Sequence, residues 1–273
     1  FNDVALNSIK QKCMQYGVLF DYYCDNANES VEALLDGENI EEIDAPVVFV
    51  AGLTENVYKF EIELSILEEV KKDGYKVSMI GSRNYCELFG THSFPSFIYN
   101  TGISEKHKIL MFNRYVRKIE KRENPDLIII GIPGGLMPFN KTLTNNFGII
   151  AFLISQAVTP DFSIVSVLYD DIDVKYFNML NNSFRYKYGF EVDCFNMAVT
   201  MFDAVTSIET QSLHFNFLDH AAVDDIINAK YSKEDIPVFN ILNPEHKSAI
   251  IALIIEKLSA YAVREQLKTG GRI

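Results

Sequence analysis

The apolar positions of this chain fall into short β-branched runs separated by longer stretches at helical spacing. Pro46 is followed by Val-Val-Phe-Val-Ala, a continuous run of the kind found in strands buried on both faces. Over 59–73, Phe60, Leu64 and Leu67 form one row, and Ile62, Ile66 and Val70 an adjoining one, so a helix is expected, with Gly74 as its stop. The pattern then predicts a strand over 75–80, a helix over 104–122 ended by Pro125, and a strand over 126–130 closed by Gly131-Ile-Pro-Gly-Gly135. A helix around 147–157 and a strand over 163–169 continue the alternation. Ahead of it, 4–16 reads as helical, 17–23 as a strand and 30–35 as a short helical turn. Strands alternating with helices predict an α/β fold: a doubly wound, mostly parallel sheet with helices on both faces. Ligands bind such sheets at the carboxyl ends of the strands, where the Gly52 and Gly134-Gly135 turns fall.

The second half is less regular. Residues 184–190 and 213–217 alternate apolar and polar and predict half-exposed strands. Asp219 is placed to cap a helix through 229, 238–242 reads as a short strand, and Asn243-Pro-Glu opens a last helix running to about 268. The expected division is an α/β core over 1–170 and an α+β extension over 171–273 packed on it.

Charge narrows the function. The 273 residues carry 25 Lys and Arg against 37 Asp and Glu, a formal net charge of −12. Binding nucleic acid requires basic surface to neutralise phosphates, so that class is not expected, nor is an anionic membrane surface. No apolar run approaches the roughly 20 residues of a membrane span. No basic region followed by an apolar stretch marks a signal peptide, and the sequence opens at Phe1 rather than Met, so residues can precede it. Cys13, Cys24, Cys86 and Cys194 are scattered and form no Cys-x-x-Cys pair, which fits free thiols of a cytoplasmic protein. The five histidines show no metal-ligand spacing.

Two segments carry candidate phosphate chemistry. Gly52-Leu-Thr-Glu-Asn-Val-Tyr-Lys-Phe60 links a buried strand to a helix. A phosphate loop needs glycines that let backbone N–H groups wrap the anion, a lysine that neutralises it and a hydroxyl that holds Mg²⁺. Gly52 and Lys59 keep the first glycine and the lysine; Tyr58 replaces the second glycine and Phe60 the hydroxyl residue. Thr54, Glu55 and Asn56 complete the candidate loop, with Gly134 and Gly135 of the second segment beside it. In a third segment, Gly81-Ser-Arg-Asn-Tyr-Cys-Glu-Leu-Phe-Gly90, Arg83, Asn84 and Glu87 could reach a ligand in the same crevice; the other reading is a loop tied by its own hydrogen bonds. Cys86 lacks an assignable partner histidine for nucleophilic work. Finally, Arg114, Arg117, Lys118, Lys121 and Arg122 form a basic row, either a solvated helix face or a docking surface for an acidic partner.

These segments resemble known families. Pro125-Asp-Leu-Ile-Ile-Ile-Gly-Ile-Pro-Gly-Gly-Leu-Met-Pro138 closely resembles the part of dethiobiotin synthetases where a strand ends in Glu-Gly-Ala-Gly-Gly and then Pro. The first segment resembles their Gly-Thr-x-x-x-x-Gly-Lys-Thr loop. The resemblance covers about 45–170 and implies a P-loop NTPase-like core, but the family's acidic residue in the second motif is Gly131 here. Over nearly the whole chain, segments 50–61, 81–90 and 131–135 look like a family of bacterial peptide maturation system proteins. Members accompany a bacteriocin-type precursor peptide, a radical SAM enzyme and an acyl-carrier-related protein, and share the altered loop. The resemblance implies an accessory protein of ribosomal peptide maturation that binds a ligand or partner through a degenerate P-loop-like site. Its partners would include an acidic carrier-like protein, the precursor peptide or the radical SAM enzyme. ATP would bind weakly or not at all because of Tyr58 and Phe60. The alternative is an ATP-dependent enzyme activating a carboxylate or an amine as dethiobiotin synthetases do.

Overall fold

The run after Pro46 forms β1 (Val47–Gly52), in which all six residues are buried. In the computed structural model, which describes residues 3–20, 37–141, 144–170, 172–210, 212–231 and 236–269 (side chains only within 5–259), β1 lies inside a six-stranded sheet. The other strands are β2 (Val77–Ile80), β3 (Leu127–Gly131), β4 (Phe162–Val167), β5 (Cys194–Met197) and β8 (Val238–Phe239). Their order is β2-β3-β1-β4-β5-β8, and every pairing is parallel. A separate antiparallel pair is formed by β6 (Thr200–Phe202) and β7 (Phe215–Phe217).

Successive strand residues point to opposite faces, and both faces are covered. Val47, Phe49, Ile128, Ile130, Val165 and Phe195 pack under α3 (Glu105–Glu123), α4 (Ile149–Ala157), α5 (Val174–Tyr188) and α7 (His220–Lys230). Val48, Val50, Met79, Ile129 and Ile164 pack under α2 (Lys59–Lys72) and α8 (Pro244–Thr269). The fold is therefore a doubly wound α/β sheet. Residues after 170 are continuous with it, since they supply the hydrogen-bonded strands β5 and β8. The remaining helices are α1 (Asp3–Gln15) and the short α6 (Ala204–Thr210).

Local signals explain the helix limits. Ser104 caps α3 by accepting from the His107 N–H, and Asn124 ends it in a left-handed conformation just before Pro125. Two sequence expectations are corrected. Residues 184–190 are not a strand: Phe184 and Tyr188 are four apart on α5 and both are buried, so the apparent alternation is one face of a helix that stops at the left-handed Gly189. Residues 17–20 form a turn and irregular chain rather than a strand; 21–23 and 30–35 lie outside the described residues.

Much of the row of cations on α3 is engaged by the chain itself. Arg114 is buried and donates to the Gly37 carbonyl. Arg117 pairs with Asp44 at 2.7 Å and with Glu120, Lys121 with Glu41 at 3.1 Å, and Arg122 with Glu123 at 2.8 Å. Lys118, on the same helix, also has an interaction of its own. Glu120 in turn accepts from the Asp44 and Ala45 N–H groups, so this seam clamps the segment leading into β1. Arg117→Ala is expected to cost roughly 1–2 kcal/mol, more than a surface pair, because Glu120 is buried. Urea denaturation checks this.

Candidate functional site

The chain leaves β1 toward the α2 face but leaves β3 and β4 toward the opposite face. This opens a crevice at the carboxyl end of β1, the topological switch point of a doubly wound sheet. Both glycine segments converge there. Gly52 is required by packing: a Cβ on it would lie 2.6 Å from the Val57 side chain and 2.8 Å from the Thr54 carbonyl. The second segment runs beside it, with the Leu136 N–H donating to the Gly52 carbonyl at 3.0 Å.

The loop between β1 and α2 is held from outside. The Thr200 hydroxyl donates to the Asn56 carbonyl at 2.9 Å, Ser166 donates to the Val57 carbonyl, and Asn145 donates to Thr54 Oγ1 at 3.3 Å. These bonds use carbonyls and a hydroxyl; among the described residues, the N–H groups of Glu55, Asn56, Val57, Tyr58 and Lys59 have no acceptor. Asn56 and Tyr58 have φ of 57° and 60°, and such alternation turns successive N–H groups toward one concavity, a nest suited to anions. The unpaired N–H groups and the dipole of α2 add to it.

Lys59 opens α2 and is buried. Its ammonium donates to the Gly134 carbonyl and lies 3.8 Å from Glu55. Burial lowers its pKa, while Glu55 and Glu63 oppose that shift. The interval from Gly52 to Lys59 is seven positions, one longer than the shortest phosphate-loop signature. Phe60, where a Mg²⁺-binding hydroxyl would stand, is buried edge-on against Tyr85 and Phe89 at 5.8 and 5.5 Å.

Residues 81–90 therefore serve first as a clasp over Phe60. Arg83 acts electrostatically on Lys59 and Glu63, and with Asn84 it lines a cavity of about 280 Å³. Glu87 accepts from Ser93 N at 3.1 Å and from the Ser93 hydroxyl, so the structure turns it to its own loop rather than to the crevice. Cys86 is buried, donates to the Arg83 carbonyl, and burial pushes its thiol up to about 11, which leaves it un-ionised and unsuited to nucleophilic attack. Gly52, Thr54, Glu55, Asn56, Lys59, Gly134 and Gly135 are thus gathered in one crevice. Among the described residues no cluster suited to a metal ion is found, and no helix is long and apolar enough to cross a membrane.

Three features of the site went unread in the sequence. A cavity of about 760 Å³ begins at Leu53 and Thr54 and is walled by Phe139, Tyr169, Tyr176 and Phe202, residues that no motif connects. Asn145, Asn146 and Phe147 are all left-handed, which lets Asn145 reach back to Thr54 and the Met137 carbonyl. Glu63, fully buried on α2, brings a carboxylate against Gly131. It follows Lys59 by one turn and stands three and four positions before Ile66 and Leu67. A charged residue in that apolar row was the available signal.

The architecture is that of a doubly wound α/β protein with its candidate site at the switch point of the sheet. No protein-family model matches the chain, and no curated protein matches it in sequence. Among solved structures it is similar to a DUF1611 family protein from Anabaena variabilis, with a TM-score of 0.58 and 10% identity over 88% of this chain. The match spans 64% of that protein's chain, under two thirds of its length. It is also similar to chloroplast FtsY from Physcomitrella patens (TM-score 0.40, 14% identity, 86% of this chain and 73% of that one). A third is cobyrinic acid a,c-diamide synthase from Mycobacterium smegmatis with bound ADP and magnesium (TM-score 0.39, 14% identity, 84% and 98%).

Proposed function

We propose that this chain binds a nucleotide-like, phosphate-bearing ligand in the crevice at β1 without Mg²⁺-dependent turnover, as an accessory protein of ribosomal peptide maturation. One observation carries the binding mode. The loop keeps a lysine and an N–H nest at the start of α2, while the position of the Mg²⁺ hydroxyl is filled by Phe60, packed into an aromatic cluster. The adjoining 760 Å³ cavity shares Leu53 and Thr54 with the loop and offers aromatic walls to the rest of the ligand. The role in peptide maturation, with a carrier-like protein, precursor peptide or radical SAM enzyme as partner, rests on the resemblance of segments 50–61, 81–90 and 131–135.

Calorimetric titration with ATP and ADP, with and without Mg²⁺, tests the binding mode; affinity independent of Mg²⁺ is expected. An ATP-dependent enzyme activating a carboxylate or amine is the second reading. One observation favours it: Glu63 restores a carboxylate beside the strand end where dethiobiotin synthetases carry their acid. Turnover above about 1 s⁻¹, the lower end of ordinary enzymes, that Lys59→Ala abolishes would select that reading.

A further inference from the structure

Glu63 occupies a position where a carboxylate is normally excluded. It shares the buried face of α2 with Ile62, Ile66, Leu67 and Val70, and it is 0% exposed. Two glycines make room for it at neighbouring strand ends. A Cβ at Gly131 would lie 2.1 Å from Oε1, and a Cβ at Gly81 would lie 3.2 Å from Oε2. Oε2 accepts from Ser82 N at 2.9 Å, whereas Oε1 and the Ser82 hydroxyl have no partner among the described residues.

The charged and titratable groups that face it come from three elements. Lys59 lies one turn earlier on α2, Arg83 lies in the segment after β2, and the neutral Cys86 thiol lies in the turn that follows. Lys59 is thus the link between this carboxyl and the loop. We propose that Glu63 is the proton-carrying residue of the phosphate site, taking up a proton from solvent when an anion engages Lys59 and returning it when the anion leaves. The inference rests on the phosphate-binding reading of the loop.

The physical reason is charge balance in a dry interior. In the empty site, Lys59 and Arg83 partly compensate an ionised Glu63. A phosphate drawn to Lys59 adds negative charge beside the buried carboxylate, and two anions sharing Lys59 in low dielectric favour protonation of Glu63. Burial pushes the Glu63 carboxyl up to about 7 even before an anion arrives, so the exchange falls near neutral pH. Glu63 acts through Lys59 and is a positioning residue.

The test is calorimetry of ADP binding at pH 7.5 in two buffers of different ionisation enthalpy, which reads proton uptake in the wild-type chain without any variant. Uptake of about half a proton is expected, with affinity falling by up to roughly tenfold per pH unit above pH 7. Glu63→Gln should bind ADP with no uptake and a flat profile over pH 7.5–9; the ligand's own phosphate titration is common to both proteins and cancels in the comparison. ADP binding without proton uptake, or Glu63→Gln retaining the wild-type slope, overturns the proposal. Failure of both ADP and pyrophosphate to bind instead removes the reading of the loop on which it rests.

Discussion

Glu63→Gln should stabilise the protein by about 3 kcal/mol at pH 8 and change it little at pH 4.5. The folded carboxyl is raised from 4.5 to about 7, chiefly by burial, against hydrogen bonding from Ser82 and the charges of Lys59 and Arg83. A carboxyl raised in this way binds more protons folded than unfolded between those values. Its contribution is fully favourable below about 4.5 and is lost as the pH rises through 7. Glutamine keeps an oxygen for the Ser82 N–H and has nothing to ionise, so the variant should not show the loss. Urea denaturation at several pH values between 4.5 and 8 measures both curves. Parallel curves would mean that Glu63 does not titrate in the folded protein in this range.

Gly131→Ala should destabilise the protein by about 2–3 kcal/mol, the cost of forcing a methyl group into a filled interior. The added carbon would lie 2.1 Å from Glu63 Oε1 and 2.2 Å from its carboxyl carbon, far inside van der Waals contact. The carboxyl is fully buried among packed side chains, so it has little room to retreat. Combining the change with Glu63→Ala should remove most of the cost, giving a coupling of about 2 kcal/mol in a double-mutant cycle. Additive effects would show that Gly131 is needed for its backbone rather than for the space it leaves.

These two residues show where a linear reading stops. The runs 47–51 and 126–130 were legible as buried strands because parallel strands covered on both faces read as near-continuous apolar runs. Helix limits followed from Ser104, Pro125 and Asn243-Pro244, whose capping chemistry is local. The loop reads in the sequence as a phosphate loop altered at Tyr58 and Phe60, through the spacing of Gly52 and Lys59. Glu63 was not legible, since only the packing of α2 across the ends of β2 and β3 reveals that its carboxyl faces Gly131. Residues 184–190 misled because aromatic and polar residues alternated where one helix face was buried. The cations on α3 read as a solvated face or a docking surface because two of the acids that engage them, Glu41 and Asp44, lie about 75 positions earlier in the chain.

The central claim is that Lys59 and the loop around it bind phosphate without needing a metal ion. Calorimetric titration of ADP into the wild-type chain and into Lys59→Ala, each with Mg²⁺ and with a chelator, tests it most directly. Binding by the wild type that is the same with and without Mg²⁺, and at least about 100-fold weaker in a folded Lys59→Ala variant, is the predicted result; the loss corresponds to roughly 3 kcal/mol for one buried charged contact. Binding that requires Mg²⁺, or that survives intact in Lys59→Ala, would contradict it.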